Sequence, residues 1–225
     1  ALLTNHGSGT TYEHACGGTI LTSTSILSAA SCFYTDAIVD SPNYWRARVG
    51  SSNAVSGGTI YIIGLITAHP DFSSTTRVND IAVVRTTLQM TMATSSVEVA
   101  RIATSFYTLN ERQPITAIGW GSSDTTHSEE LRHVQIWVVD RQLCTSRYNS
   151  LGFTVVDNML CAGWLDVGIR GQCVGDNGSP LVENGVVVGV HSWSEGCGHI
   201  MYPSINTFIP PYITWIIQTA TATLS

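Results

Sequence analysis

The sequence predicts an all-β protein, either a barrel or a sandwich, with one short helix inside the chain and one at its C-terminal end. Short apolar stretches rich in β-branched residues, such as GGTIYIIGLITAHP and PLVENGVVVGVHSWS, recur between Gly, Ser, Asn and Pro. In the second stretch, Asn184-Gly185 separates two apolar runs. Asn-Gly in this setting is a strong signal for a two-residue hairpin, so we expect a pair of antiparallel strands there.

The other elements follow in chain order. Strands are predicted in GGTILTSTSILSAA, IAVVRT, ITAIGWG, RHVQIWVVD and YPSINTF. The segment DRQLCTSRY predicts the internal helix, with Asp140 as its N-cap. The C-terminal YITWIIQTATATLS predicts a helix docked on the body. A polar stretch over 104–113 marks the seam between two halves, which we place at 1–106 and 107–225.

Composition excludes several classes of protein. The chain has 225 residues, and 44% of them are hydrophobic, which is too many for a disordered chain. The formal net charge is −6 and no basic block exists, so nucleic acid is not an expected partner. No apolar run approaches the roughly 20 residues that span a bilayer, so no membrane association is expected. No signal peptide is visible at Ala1, which we interpret as a mature or trimmed chain.

The cysteines favour an oxidising compartment. Their number is even and none forms a Cys-X-X-Cys pair, which favours disulfides in an extracellular protein over a metal site. Six cysteines allow fifteen pairings, and spacing alone does not select one: Cys16, Cys32, Cys144, Cys161, Cys173 and Cys197. The histidines other than His191 show no ligand spacing, so neither a metal nor another cofactor is predicted: His6, His14, His69, His127, His133 and His199.

Four motifs carry a resemblance to a known family. ACGGTILTSTSILSAASC, NDIAVV, GQCVGDNGSPL and HSWSEGCG occur in this order, and together they resemble the trypsin-like serine proteases over nearly the whole chain. CGGTILTSTSILSAA, LRHVQIWVV and DNMLCAGWLDVG are similar to digestive trypsins of moth and butterfly larvae. The resemblance implies two six-stranded antiparallel β-barrels with a cleft between them. It also implies the disulfides Cys16–Cys32, Cys144–Cys161 and Cys173–Cys197.

The chain departs from this family at the catalytic triad. Family catalysis uses a hydroxyl nucleophile, an imidazole base and a buried carboxylate. By motif, the base position holds Ser31, the nucleophile position Asn177 and the carboxylate position Asp80, with Ser192 as its neighbour. A serine hydroxyl accepts no proton near neutral pH and a carboxamide is no nucleophile, so no functional triad and no enzymatic activity are expected. Ser179 is expected to pack against the turn.

The rest of the cleft is predicted from the same resemblance. The backbone N–H groups of Gly175 and Asn177 match the oxyanion hole, which does not depend on side-chain identity. Gly171 stands where trypsins place the Asp that binds a cationic side chain. Ser194 and Ser204 stand where trypsins have Gly, so we expect them to narrow this specificity pocket.

Two further departures concern activation and calcium. Asp176 matches the family's partner of the N-terminal ammonium, and by the family pattern further residues precede Ala1. The loop SSNAVSGG has no carboxylate where the family binds calcium, so calcium is not expected there.

The sequence therefore predicts a secreted protein of gut lumen or haemolymph that acts by binding a protein partner. The expected partners are a protease inhibitor, for which it would be a decoy, a protease or an immune factor. Two alternatives stay open, a weakly active or unrecognised serine-type hydrolase and a carrier of a small ligand in the cleft. All ten basic residues are Arg, and arginine keeps its charge at a pH where lysine loses it. This composition suggests a surface inherited from an alkaline gut.

Overall fold

A computed structural model describes residues 1–5, 11–92, 96–122 and 129–222. Strands dominate it, which confirms the predicted all-β class. Within the described residues the strands are β1 (Leu2–Thr4), β2 (Glu13–Cys16), β3 (Thr19–Ile20), β4 (Ser25–Ser28), β5 (Tyr34–Thr35), β6 (Ile38–Val39), β7 (Trp45–Val49), β8 (Thr59–Ala68), β9 (Ala82–Thr86), β10 (Arg101–Ile102), β11 (Pro114–Gly119), β12 (Arg132–Val138), β13 (Met159–Gly163), β14 (Pro180–Glu183), β15 (Val186–Trp193) and β16 (Ser204–Phe208). The helices are α1 (Arg141–Asn149) and α2 (Ile213–Thr221).

The second half closes into a barrel. Strands β15, β14, β11, β12, β13 and β16 pair in that order, and β15 also pairs with β16, which completes a six-stranded antiparallel ring. The hairpin between β14 and β15 turns through Asn184 at φ 48° and Gly185 at φ 77°. Both central residues with positive φ are typical of the type I′ turn that Asn-Gly favours, so the predicted hairpin is confirmed.

The first half is an open sheet. Its strand order is β2, β1, β7, β8, β9, β4 and β3, and no pairing joins the outer strands β2 and β3 in the described part of the chain. The expected pair of closed six-stranded barrels therefore holds for the second half alone. Only Gly17-Gly18 separates β2 from β3, so the sheet must curl until its two edges approach each other. An edge-on pair, Phe33 and Trp45 with ring centroids 4.7 Å apart, lies in its core.

The two halves share a core. One cluster of buried residues takes Leu27 and Val83 from the first sheet and Leu181 and Val188 from the second. The short strand β10 pairs in parallel with β15 of the second sheet, although it lies before the predicted boundary at residue 106. That boundary stays a prediction, but β10 shows that the chain crosses to the second sheet earlier along its length.

Both helices lie where the sequence places them. The Asp140 carboxylate accepts a hydrogen bond from the Leu143 N–H at 2.8 Å, which confirms it as the N-cap of α1. Helix α2 buries Ile216 and Ala220, and the Ala220 carbonyl accepts a hydrogen bond from Ser25 Oγ at 2.7 Å. The C-terminal helix therefore ties the second half back to the first sheet. Neither helix of the described chain is long and apolar enough to cross a membrane.

Candidate functional site

The carboxylate of Asp80 is the buried centre of the cleft. It is fully shielded from solvent and accepts hydrogen bonds from the Ser31 backbone N–H at 2.7 Å and from Ser192 Oγ. Arg77 lies 3.9 Å from it. Burial raises the pKa of Asp80 above its usual range, against the opposing effect of these hydrogen bonds and of the Arg77 charge.

Ser31 reaches this carboxylate through its backbone. It lies in the 3-10 turn Ala30–Phe33, which the Cys16–Cys32 disulfide fastens to β2. The hydrogen bond that Ser31 makes to Asp80 comes from its N–H, and this bond orients the turn toward the carboxylate. The sequence motif and the fold thus bring the positions matched to the base and to the carboxylate into direct contact.

Asn177 is displayed by a turn that requires glycine on either side. Gly175 has φ +91° and Gly178 has φ +78°. A Cβ on Gly178 would meet Ser28 Oγ at 2.0 Å and the Gly17 carbonyl at 2.5 Å, so only glycine fits. The Asn177 Nδ2 donates a hydrogen bond to the Ser192 carbonyl at 2.6 Å. Ser192 in turn binds Asp80, so the three positions matched to the triad are connected.

The turn also presents two backbone donors. The N–H groups of Gly175 and Asn177 donate no hydrogen bond to another group in the described residues, whereas their neighbours Asp176, Gly178 and Ser179 do. Backbone N–H groups arranged in a turn of this kind form an anion-binding concavity. The arrangement is therefore suited to hold a carbonyl or carboxylate oxygen, independently of the side chain at position 177.

Asp176 stabilises this turn from below. Its carboxylate oxygens accept hydrogen bonds from the Gly121 N–H at 2.8 Å and the Cys173 N–H at 2.9 Å. Asp176 also lines a cavity of about 190 Å³ between the second barrel and the segment 169–173. The Cys173–Cys197 disulfide joins this segment to the loop after β15. The third disulfide, Cys144–Cys161, joins α1 to β13.

The two remaining reactive side chains near the turn serve packing. Ser179 is buried, and its Oγ has no hydrogen-bond partner within the described residues and packs against Gly17. His191 points to the side opposite Ser192, as strand alternation predicts. Its ring contacts Asn206 Oδ1 at 3.2 Å and Ser194 Oγ at 3.4 Å, and burial lowers its pKa to about 4. His191 is therefore a neutral group of the second barrel, turned away from Asp80.

The three residues assigned to the specificity pocket lie together. Gly171, Ser194 and Ser204 line one cavity, whose volume is only about 10 Å³. A Cβ at Gly171 would lie 2.8 Å from Gly198 Cα, so the loop after β15 closes directly onto this glycine. A volume near 10 to 15 Å³ holds about one water molecule. The pocket that these residues surround is therefore almost completely filled.

Gln172 fills it, and sequence reasoning missed this residue. Only 2% of Gln172 is exposed, and its Oε1 accepts a hydrogen bond from Ser204 Oγ at 2.9 Å. Gln172 directly follows Gly171, the one residue of this segment that the motif resemblance assigns to the pocket. A long polar side chain within a pocket-lining segment is the signal that was available.

Comparison of the sequence with known proteins identifies the family. The family model described as Trypsin matches residues 2–216, so the chain belongs to the trypsin family. It is 46% identical over 210 residues to "Trypsin, alkaline C" of Manduca sexta, covering 92% of this chain and 80% of the relative. It is 47% identical over 208 residues to "Trypsin CFT-1" of Choristoneura fumiferana, covering 92% and 79%. "Achelase-1" of Lonomia achelous is 45% identical over 186 residues, covering 80% and 85%.

These relatives contradict one prediction. The chain was expected not to be an enzyme, but proteins 46–47% identical over most of its length are named trypsins, which are catalytic proteases. Relatives so similar point to a protease, and the substitutions at Ser31 and Asn177 do not by themselves remove the chain from that class. Position 31 carries no imidazole and position 177 carries no hydroxyl.

Proposed function

We propose that the chain acts by binding a polypeptide segment of a protein partner in its cleft, the partner being a protease inhibitor, a protease or an immune factor. The observation that carries the proposal is the state of the turn 175–178. The Asn177 side chain is tied to the Ser192 carbonyl, while the two backbone N–H groups beside it remain available. The turn is therefore prepared to receive an oxygen atom of a ligand.

Preorganisation supports this function. The turn is positioned by the glycines at positive φ, by the Asp176 hydrogen bonds and by the Cys173–Cys197 disulfide. Because these groups are already ordered, a ligand carbonyl that meets the donors costs little additional conformational entropy. The proposed ligand is an extended loop that presents a backbone carbonyl to these donors.

The proposed location is extracellular, in gut lumen or haemolymph. The three disulfides are typical of an oxidising compartment. Two of the relatives described above are named trypsins, and the name of the Manduca sexta protein includes the word alkaline. A protein of this family that is released into a digestive fluid meets both proteases and protease inhibitors, which are the proposed partners.

The test is capture of partners from midgut fluid and haemolymph on the immobilised native chain and on two variants. Asn177→Asp keeps the shape but removes the Nδ2 donor and places a negative charge beside the two N–H groups. We expect it to weaken partner binding roughly 10-fold or more, because the new carboxylate repels the ligand oxygen and so weakens its hydrogen bonds to the two N–H groups. Asn110→Asp, at an exposed position, is the matched control. Equal binding by all three proteins would contradict the proposal.

Proteolysis is the second candidate, favoured by the names of the relatives. Turnover of ester and peptide substrates by the homogeneous protein, together with labelling by a fluorophosphonate and loss of turnover in Asp80→Ala, would establish it. A carrier of a small ligand in the specificity pocket is disfavoured, because only about 10 Å³ remains there.

A further inference from the structure

We propose that Gln172 sets the specificity of the cleft by filling the pocket from within, so that the ligand residue entering there is Gly, Ala or Ser. This inference rests on the proposed binding function and names the ligand class. Four observations carry it: the size of the cavity, the anchoring of Gln172, its remaining donor and the charge at the rim.

The size of the cavity excludes a long side chain. About 10 Å³ remains between Gly171, Gln172, Ser194 and Ser204, which corresponds to about one water molecule. A methyl or hydroxymethyl group that displaces this water fits the space. Leucine and arginine side chains are several times larger and would have to push Gln172 out of its position.

Gln172 resists such displacement because it belongs to a buried polar network. Ser204 Oγ lies 2.9 Å from both Gln172 Oε1 and the Ala162 carbonyl, so its single proton serves two buried acceptors. The side chain of Asn206 extends this network. Its Nδ2 lies 3.2 Å from the same Ser204 Oγ, and its Oδ1 contacts the His191 ring. Moving Gln172 would leave buried hydrogen-bonding groups without partners, which is costly.

One donor of this network is left for a ligand. Gln172 Nε2 is buried and has no hydrogen-bond partner in the part of the chain that the structure describes. A water molecule or the hydroxyl of an entering serine would accept its hydrogen bond. Serine therefore combines the permitted volume with an acceptor that the pocket lacks, and we expect it to bind at least as well as alanine.

The charge at the rim of the cavity also disfavours a lysine or arginine side chain. Arg170 lines the cavity, and its guanidinium stacks over the Trp164 ring at 4.3 Å from the centroid. The described residues that line the cavity include no carboxylate. A lysine or arginine of the ligand would therefore meet a like charge at the rim, and no lining residue offers it a carboxylate. The pocket rejects cationic residues by volume and by electrostatics.

The test uses five disulfide-braced inhibitor-loop peptides that differ only in the anchor residue: Gly, Ala, Ser, Leu or Arg. Affinity is measured by calorimetry for the native chain, Gln172→Ala and Gln172→Ser. Gln142→Ala, an exposed glutamine of α1, is the matched control. For the native chain we expect the Ala and Ser loops to bind roughly 10-fold or more tightly than the Leu and Arg loops. Both Gln172 variants should raise the affinity for the Leu loop by a similar factor, whereas Gln142→Ala should change nothing.

Two failures are distinguishable. If the Leu or Arg loop binds the native chain as tightly as the Ala loop, or if the Gln172 variants leave the order unchanged, Gln172 does not set the specificity, while the binding function stands. If no loop binds any of the proteins, both the binding function and this inference are wrong. Gln172→Ser retains a polar group in the network, so it provides a folded variant if Gln172→Ala does not fold.

Discussion

The two β halves close in different ways. The second half closes by strand pairing, since β15 pairs with β16 and completes its ring. In the described part of the first half, the edges β2 and β3 do not pair with each other, and the turn 177–179 of the second half contacts Gly17, which lies between them in the chain. There the Gly17 N–H donates to the Asn177 carbonyl at 2.7 Å, and Ser179 packs against Gly17.

This difference gives the backbone of the turn a structural role that does not depend on the side chain at position 177. In the second half the closure is independent of the cleft. In the first half the turn itself fills the gap between the sheet edges, so its backbone contributes to the fold as well as to the site. Gly175, Gly178 and the contact with Gly17 therefore contribute to stability whichever side chain stands at position 177.

The largest expected effect comes from crowding the junction of the first sheet. Gly178→Ala places a Cβ within 2.0 Å of Ser28 Oγ at a backbone φ of +78°. We expect a loss of roughly 3 kcal/mol or more in the free energy of unfolding, from strain and overpacking together. Gly185→Ala is the matched control, because its φ is +77° and nothing lies within 4 Å of its Cβ.

The control isolates the cost of the backbone conformation, about 1 kcal/mol. Urea unfolding of the three proteins measures both values. Equal losses in the two variants would show that the junction tolerates an added methyl group and that the turn does not seal the first sheet.

The closure of the second half is tested by acid. His191 in β15 contacts Asn206 in β16 across the closing pair, and its pKa is lowered to about 4 from 6.5 by burial. The unfolded state therefore binds a proton first, and stability present above pH 6.5 is lost as the pH falls toward 4. This single group contributes a loss of roughly 3 kcal/mol over that window.

His191→Gln cannot take up this proton, so its free energy of unfolding should fall less steeply between pH 6.5 and 4 than that of the native chain. His133→Gln, at an exposed position of β12, is the control and should retain the native slope. Parallel slopes for all three proteins would mean that the β15–β16 closure is insensitive to the charge of His191.

Short-range sequence signals predicted individual turns and helices, whereas contacts between distant residues determine how the strands pair. Asn184-Gly185 and Asp140 act within a few residues of themselves, and the structure places the hairpin and the helix start where they indicate. The open first sheet and the parallel strand β10 depend on distant partners that no local pattern encodes.

The same limit applies to the site. Motifs identified the positions of Ser31, Asp80 and Asn177, and the fold brings them together. They did not identify Gln172, because whether its side chain points into the pocket depends on Ser204, 32 residues further along the chain. The side chains at positions 31 and 177 do not by themselves establish a lack of enzymatic activity, and the named trypsins among the relatives contradict that prediction.

A smaller effect is expected at the base of the specificity pocket. Gly171→Asp introduces a carboxylate at the base of the pocket, but its Cβ would lie 2.8 Å from Gly198 Cα and 2.9 Å from Gly198 N. We expect a loss of about 1 to 3 kcal/mol in the free energy of unfolding, because the backbone has to move. We expect no gain in affinity for benzamidine, because Gln172 still occupies the pocket. Calorimetric titration with benzamidine and a thermal melt measure both effects. Tight binding of benzamidine to this variant would show that the pocket opens easily.

The smallest effect concerns a loop that ties the halves together at the surface. Arg48 holds the loop after β7 by donating from Nε to the Ala54 carbonyl and from Nη2 to the Val55 carbonyl, each at 2.9 Å, and from Nη1 to the Gly57 carbonyl. The same loop reaches the second half, where Trp120 Nε1 donates to the Ser52 carbonyl at 2.8 Å and the Ala54 N–H donates to the Glu129 carbonyl at 2.7 Å. One guanidinium therefore orders a connection between the halves that involves neither the turn nor α2.

Replacing Arg48 by lysine tests whether arginine has an advantage over lysine at high pH. Arg48→Lys keeps the charge at pH 7 but offers fewer donors, all on one nitrogen, so we expect a loss of about 1 kcal/mol in the free energy of unfolding. Lysine titrates near 10.4 and arginine above 12, so the bonds of Lys to the loop carbonyls weaken as the pH rises toward 11, whereas those of Arg48 persist.

Burial also raises the pKa of Tyr148 and Tyr212, and this lowers the stability of every variant alike above pH 10, because the unfolded tyrosines ionise first. The informative quantity is therefore the difference in melting temperature between Arg48→Lys and the native chain, measured in matched salt from pH 7 to 11. We expect this gap to widen by roughly 2 to 4 °C, and Arg101→Lys, at an exposed position of β10, to show no such widening. A gap that stays constant to pH 11 would mean that alkaline conditions do not account for the arginine at this position.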